Sequence, residues 1–394
     1  MEGTEIEMTD LKFKPVEAED MKVLAPYFGL RPNKTCDSVP LDSFIWRKYY
    51  HVRYAIHENK ALLWLMKEDG VMHSAMPLCK EEDLKKYFAT KKGTLHAVDG
   101  VTFTVDAGKT LGIVGESGCG KSTLGRVILH LHERTEGRIV FQGEDISDVS
   151  NAKLKELRKD MQIIFQDPYA SLNPRMSIGD IIAEPLKIYK LCNSKTEREK
   201  KVHEIMDVVG LAERTYSLYP HELDGGRRQR VGIARALILD PKLVVCDEPV
   251  SALDVSIQAQ ILNLMMELQK ERNLTYLFIT HNLSVVKHIS DDITVMYLGQ
   301  MVEKAGSSEI FAHQYHPYTK ALISAIPLPK YNAPDNQIIL KGEITSPINV
   351  TKSCRFAPRC IYAKPECFNQ EPALEEVEPG HFVKCHFVRE INGL

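Results

Sequence analysis

No run of 18 apolar residues occurs anywhere in the 394-residue sequence, so no membrane-spanning helix is expected. The first residues, Met1-Glu2-Gly3-Thr4-Glu5, are acidic, and no short apolar core follows them, so no secretory leader is expected either. Charge of one sign is not in excess. Lys and Arg number 50 against 53 Asp and Glu, and the net charge of −3 gives no reason to expect nucleic acid as a partner. Tryptophan is scarce, and both residues, Trp46 and Trp64, fall before residue 84. Internal repeats and low-complexity tracts are absent. What remains, 44% hydrophobic and 26% charged, is ordinary for a soluble globular protein. The length admits about two or three domains. Cysteine is the one unevenly distributed type: Cys36, Cys79, Cys119, Cys192 and Cys246 are scattered, whereas Cys354, Cys360, Cys367 and Cys385 crowd the end. Without an export signal, such a cluster points to metal or cluster ligation rather than disulfides.

The densest chemical signal is Gly115-Glu116-Ser117-Gly118-Cys119-Gly120-Lys121-Ser122-Thr123, which fits G-x-x-x-x-G-K-[ST] at every fixed position. The apolar run Leu111-Gly112-Ile113-Val114 precedes it as a strand, and Leu124 to Leu131 follow as a helix. Glycines let backbone N–H groups curl around a phosphate chain, and the helix N-terminus adds partial positive charge. Lys121 can reach the β- and γ-phosphates, and Ser122 can ligand Mg²⁺. ATP or GTP is the expected ligand.

Three segments differ in texture. Residues 1–83 are aromatic-rich, residues 84–328 carry the nucleotide motifs, and residues 329–394 begin with a Pro-spaced linker from Pro327 to Pro334 and end in the Cys cluster. Within the middle segment, Leu243-Val244-Val245-Cys246 reads as a buried parallel strand ending in Asp247-Glu248. A second strand, Leu274 to Thr280, ends at His281. Between them Ile257, Ile261, Leu264 and Leu268 recur at helical spacing, with Asp254 at the N-cap position. Strand, helix, strand implies a parallel α/β sheet, with ligands at the strands' C-terminal ends. Lys121, Asp247 and His281 are therefore expected on one edge. There Asp247 would hold Mg²⁺, Glu248 would polarise a water, and His281 would hydrogen-bond a γ-phosphate.

The order of these motifs resembles the ATPase subunit of ATP-binding-cassette (ABC) transporters, a P-loop fold with a helical subdomain. Gln166, in Ile163-Ile164-Phe165-Gln166-Asp167-Pro168, looks like the Q-loop glutamine, which that resemblance makes a metal and water ligand. Leu223-Asp224-Gly225-Gly226-Arg227-Arg228-Gln229-Arg230 stands where the family signature belongs, and Ser251-Ala252-Leu253-Asp254 looks like the D-loop. Phe88 aligns with the aromatic that stacks on adenine, with Tyr87 as the alternative. Phe165 to Arg175 and His316-Pro317-Tyr318-Thr319-Lys320-Ala321-Leu322 resemble the oligopeptide/dipeptide importers more closely. The resemblance implies a second ATPase chain, with each phosphate loop facing the other chain's signature. It also implies two transmembrane permease subunits, an extracellular solute-binding protein and a place on the cytoplasmic face of the membrane. A soluble cassette ATPase of translation or repair is the rival class, and another solute such as nickel or a sugar is the rival cargo.

One departure stands inside the signature. The usual L-S-G-G-Q has become Leu223-Asp224-Gly225-Gly226-Arg227. A carboxylate at Asp224 would face the γ-phosphate held by the partner, and two unit charges 4 Å apart repel by about 1 kcal/mol in water or about 4 kcal/mol at an effective dielectric of 20. An asymmetric heterodimer is expected, with the Asp224 site slow unless Arg227 compensates. At the other end, Cys354, Cys360, Cys367 and Cys385 could hold zinc or a [4Fe–4S] cluster. The block Cys354-Arg355-Phe356-Ala357-Pro358-Arg359-Cys360 resembles the Cys motif of peptide-importer ATPases, which implies the iron–sulfur cluster, with zinc as the alternative. In residues 1–83, Phe13-Lys14-Pro15-Val16, Thr35-Cys36-Asp37, Phe44 to Tyr50 and Leu62-Leu63-Trp64-Leu65 resemble a fragment of the acyltransferase-like domain of lysyl-phosphatidylglycerol synthases, an α+β unit without an acyl-donor loop.

Overall fold

The computed structural model describes residues 83–326, 337–340, 342 and 347–394, and the backbone of the strands within the first 82. Contacts divide the chain into two units, Met1–Glu82 and Asp83–Leu394. The first unit carries an antiparallel sheet in the order Lys14–Pro15, Arg53–His57, Ala61–Glu68, Val71–Ser74, with Leu78–Cys79 also pairing on Ala61–Glu68. Leu62 to Trp64 lie in the strand paired with Tyr54 to Ile56. The other stretches that carry the acyltransferase resemblance, and the Pro327 to Pro334 linker, lie outside the described residues, apart from the short Lys14–Pro15 strand.

The second unit begins with a hairpin of β1 (Leu84–Thr90) and β2 (Gly93–Val101). Then come β3 (Thr110–Val114), α1 (Lys121–Ile128) and β4 (Met161–Ile164). Helices α2 (Ile178–Ile188), α3 (Lys195–Val208) and α4 (Gly225–Leu237) follow. The chain returns to the sheet through β5 (Leu243–Asp247), α5 (Val255–Arg272), β6 (Thr275–Ile279), α6 (Leu283–Ile289), β7 (Asp292–Tyr297) and β8 (Gln300–Gly306). After the short helix α7 (Pro317–Ser324), the tail adds β9 (Glu375–Glu378) and β10 (His381–Val383).

Eight strands form one sheet in the order β4-β5-β6-β3-β7-β8-β10-β9. The five from β4 to β7 are parallel, as the alternation of apolar strands and helices implies. The rest is antiparallel, so the sheet is mixed. Tail strand β10 pairs on β8 at Glu303↔Val383, so residues of the 329–394 segment complete the cassette sheet. The parallel strands are buried on both faces. Val244, Cys246, Tyr276 and Phe278 face one core cluster, with the α2–α4 residues Ile181, Ile205 and Val231, while Leu243, Val245, Leu277 and Ile279 face another, with Leu124 and Val127 of α1. That two-sided burial is why these strands read as continuous apolar runs. Helix α2 starts on a Ser177 cap and α3 on a Ser194 cap, each hydroxyl accepting a backbone N–H. No helix among the described residues is long and apolar enough to cross a membrane.

Two local expectations shift. Helix α1 starts at Lys121, inside the glycine motif, and ends at Ile128 instead of running from Leu124 to Leu131. Asp254 occupies the N-cap position of α5, but its carboxylate makes no capping hydrogen bond there.

Candidate nucleotide site

Strand β3 is buried throughout and delivers the chain into the 115–120 loop at the sheet's C-terminal edge. Two glycines fix the loop's shape. Gly115 has φ +153°, and a Cβ there would lie 2.2 Å from the Met296 carbonyl oxygen. Gly120 has φ +104° and would collide with the Ala97 carbonyl oxygen at 2.0 Å. No other residue type fits either place. Gly120 ends the loop as the N-cap of α1, without a side-chain cap, so the first N–H groups of the helix are free to bind an anion. Ser117 and Gly118 are exposed on the loop, Cys119 is buried beneath it, and Thr123 lies on the first turn. Burial pushes the Cys119 thiol up in pKa, so it is an inert packing group.

Lys121 is buried, and its ammonium donates to the Gly115 carbonyl at 2.7 Å and the Glu116 carbonyl at 3.0 Å, which aims it along the inside of the loop. Ser122 Oγ donates to Asp247 Oδ1 at 2.6 Å. Burial raises the Asp247 carboxyl pKa, opposed by the Ser122 hydrogen bond and by Arg126, whose guanidinium lies 3.7 Å away. A hydroxyl and a carboxylate in contact beside a phosphate loop are the donor set a Mg²⁺ ion needs, so the residues fit that ion.

Glu248 stands at the end of β5 with φ +48°. Its N–H donates to the Ile279 carbonyl at 2.9 Å, and its carbonyl accepts the Ser251 hydroxyl at 3.1 Å. These bonds hold it in a left-handed conformation that non-glycine residues seldom take. The side chain turns to two of the other expected site residues: Gln166 Nε2 donates to Glu248 Oε2 at 3.0 Å, and His281 Nδ1 lies 3.2 Å from the same oxygen. Glu248 is 11% exposed and His281 53% exposed, so the carboxylate is sheltered while the imidazole faces outward. Such a carboxylate, backed by an amide and an imidazole, can orient and deprotonate a water.

On the adenine side, Tyr87 is already engaged. Its hydroxyl donates to Asp99, and its ring packs 4.1 Å from that of His96. Phe88, beside it on β1, presents its ring to Lys86 and to the edge of His132. Gly225 and Gly226 open α4, and a Cβ on Gly226 would lie 2.7 Å from Ile257, so only glycine lets the two helices meet there. Asp224 caps that helix: Oδ1 accepts the Arg227 N–H at 2.8 Å, and Oδ2 lies 3.4 Å from the Arg227 Nε. Asp254 is exposed at the start of α5.

Three contacts had no local sequence signal. The Glu116 N–H donates to the Tyr318 hydroxyl at 3.0 Å, Arg359 pairs with the Glu116 carboxylate, and Arg355 pairs with Asp99. At the tail, Cys354, Cys360, Cys367 and Cys385 line a single cavity together with His316 and Phe356.

A phosphate loop, a strand-end Asp-Glu pair, a glutamine and a histidine converging at one sheet edge define an ATP-hydrolysing nucleotide-binding cassette. The ABC transporter family model matches residues 98–251, and the oligopeptide/dipeptide transporter C-terminal region model matches residues 302–367. The oligopeptide transport ATP-binding protein AppF of Bacillus subtilis is 53% identical over 314 residues, covering 77% of this chain and 95% of AppF. OppF of Haemophilus influenzae is 50% identical over 332 residues, covering 84% of this chain and 98% of OppF. Among solved structures, a dimeric post-hydrolysis ATP-binding cassette bound to ADP and Pi is 28% identical with a TM-score of 0.53, covering 57% of this chain and 98% of that one. The chain belongs to the oligopeptide/dipeptide transport ATP-binding proteins of the ABC transporters.

Proposed function

We propose that this chain is an ATP-hydrolysing subunit of an importer that takes di- or oligopeptides across the cytoplasmic membrane. The observation that carries the reading is the meeting of Gln166 and His281 on Glu248, beside the Ser122–Asp247 pair. In this reading the 115–120 backbone and Lys121 hold the phosphates, with Ser117, Gly118 and Thr123 adding donors. Phe88 stacks on adenine, because Tyr87 is spent on Asp99. Ser122, Gln166 and Asp247 would hold Mg²⁺, which would supply charge neutralisation at the phosphates. Glu248 takes the proton of the attacking water, and His281 reports the γ-phosphate.

The chain works at the cytoplasmic face with a second ATPase chain, two permease subunits and an extracellular solute-binding protein. Gly225, Gly226 and Asp254 face the partner's nucleotide. The Asp224 carboxylate makes that second site the slower one. Its engagement by the α4 N-terminus and Arg227 softens the repulsion, which supports a slow site over a dead one.

The tail cysteines form a ligand site. Burial pushes the Cys354 and Cys385 thiols up to about 11, so a bound cation is what would keep them as thiolates. The four cysteines line one cavity, and their resemblance to the Cys motif of peptide-importer ATPases favours a [4Fe–4S] cluster, with zinc as the alternative. The N-terminal unit resembles an acyltransferase-like fragment, either an extra module or an inert remnant, and no activity is assigned to it.

The test is recovery of the tagged chain from detergent-solubilised membranes, with co-purifying proteins read by mass spectrometry. A second ATPase and two multi-span proteins are expected, together with loss of labelled-tripeptide uptake when the gene is deleted. Recovery only with ribosomes or DNA would overturn the transport reading, and loss of nickel uptake alone would overturn the cargo.

A further inference from the structure

The segment from Cys354 to Cys360 has two sides. Its end residues line the cysteine cavity, while the two arginines beside them reach out of it into the cassette. Arg359, next to Cys360, makes a two-pronged contact with the phosphate-loop residue Glu116, at 2.7 and 3.1 Å. Its guanidinium also lies over the Tyr297 ring, 5.9 Å from the centroid. Arg355, next to Cys354, pairs with Asp99 and donates to the Leu298 carbonyl. Asp99 is the group that accepts the Tyr87 hydroxyl and faces His96, so this arginine grips the adenine-side hairpin. Between the two, Phe356 is 2% exposed and packs edge-on against Tyr297 and at a tilt on Tyr318, whose hydroxyl accepts the Glu116 N–H. The arginine side chains are 6% and 9% exposed, so both pairs are shielded from solvent and little screened by salt.

The segment is a tight turn of its own: the Ala357 N–H donates to the Cys354 carbonyl at 3.1 Å, the Arg359 N–H to the Phe356 carbonyl at 2.9 Å and the Cys360 N–H to the Ala357 carbonyl at 3.3 Å. Cys354 N–H donates to the Cys367 carbonyl at 2.8 Å, and a short turn, Ala357–Arg359, carries the chain on to Cys360. Common ligation with Cys367 and Cys385 would tie that turn, and the two arginines it carries, to the rest of the tail.

We infer that Arg359 and Arg355 are positioning residues through which ligation at the four cysteines sets the affinity of the nucleotide site. Arg359 holds the phosphate loop through Glu116, and Arg355 holds the adenine-side hairpin through Asp99. When the 354–360 segment is pinned by its thiolates, both halves of the nucleotide cradle are pinned with it. When a ligand is lost, the segment loosens and the cradle opens. This rests on the reading of the cysteines as a ligand site, which the test separates from the coupling itself.

The measurement is the Kd of a fluorescent ATP analogue for the purified full chain under anaerobic conditions, with iron and zinc content and melting temperature recorded on the same samples. Arg359→Ala is expected to weaken binding about tenfold, within the range of measured coupling between sites. Arg359→Lys, which keeps the charge but not the fork, recovers part of it. Glu116→Gln combined with Arg359→Ala costs no more than the larger single change, as required when two residues act as one contact. Cys385→Ser, which touches neither arginine, weakens binding in the wild-type background and adds nothing in Arg359→Ala. Wild-type affinity in Arg359→Ala would overturn the inference, as would a Cys385→Ser effect that is absent or equal in both backgrounds. In the failing case the metal content tells the two causes apart. Wild-type protein without iron or zinc refutes the cysteine site, and loss of bound metal without loss of affinity refutes the coupling.

Discussion

Glu248 carries the heaviest demand on any single residue. It adopts a left-handed backbone, is nearly buried, and offers one oxygen to both Gln166 and His281. Glu248→Gln keeps the shape and removes the proposed base. Steady-state phosphate release should fall by about 10²- to 10⁴-fold, the usual worth of a positioned general base, while nucleotide affinity stays near wild type. Turnover that survives the change would move the base elsewhere. Ser122→Ala, by contrast, should raise the Mg²⁺ concentration needed for half-maximal turnover, because Asp247 loses its 2.6 Å partner and the ion loses one donor. A magnesium titration unchanged by the substitution would remove Ser122 from the ligand set. That these residues would gather at one sheet edge was legible in the sequence, because phosphate and metal chemistry require fixed residue types at short spacings around a strand end. The Glu116–Arg359 pair was not legible. Its partners are 243 positions apart, and an Arg beside a Cys carries no pattern that names its contact.

At the scale of the element, α4 depends on its first turn. Asp224 caps it through the Arg227 N–H, so the same carboxylate that departs from the usual signature also starts the helix. Asp224→Ala should lower stability by about 1 kcal/mol, the typical worth of an N-cap, and Asp224→Ser should cost little, since a serine hydroxyl caps as well. Denaturant midpoints at constant slope decide this. In the assembled transporter, Asp224→Ser should raise turnover if the carboxylate slows the site it faces, and unchanged turnover would show that Arg227 already compensates. Asp254 provides the contrast. It sits at the cap position of α5 but makes no capping bond, so Asp254→Ala should shift stability by less than about 0.5 kcal/mol. The sequence placed Asp254 at a helix start, where it stands, whereas the capping role of Asp224 emerged only from the structure. Which carboxylate actually bonds depends on a rotamer, and spacing does not encode it.

At the scale of the molecule, the tail belongs to the sheet. Strands β9 and β10 read as Glu-Glu-Val-Glu and His-Phe-Val, too short and too charged to stand out as strands, so their place at the sheet edge emerges only from pairing with β8. The parallel half, in contrast, could be read directly, since burial on both faces leaves an unbroken apolar signature. One of the tail's holds on the cassette is Glu303, which is fully buried on β8. Its carboxylate accepts the Tyr315 N–H at 2.8 Å and the His316 N–H at 3.1 Å, and His381 Nε2 lies 2.8 Å away. Those two N–H groups open the His316-Pro317-Tyr318 turn into α7, so one acid ties together β8, that turn and the tail. His381→Ala keeps the two backbone donors but strips the carboxylate of its only side-chain partner among the described contacts. Leaving a buried charge so exposed to its own desolvation typically costs about 3 kcal/mol. For a folded unit of this size that is a melting temperature lower by about 5 °C. His381→Gln, which can still donate to Glu303, should recover much of the loss. A melting point for His381→Ala equal to wild type would mean that the two N–H groups alone satisfy Glu303, and that the tail is held by its strand pairing and the Val377, Val383 and Val388 contacts instead.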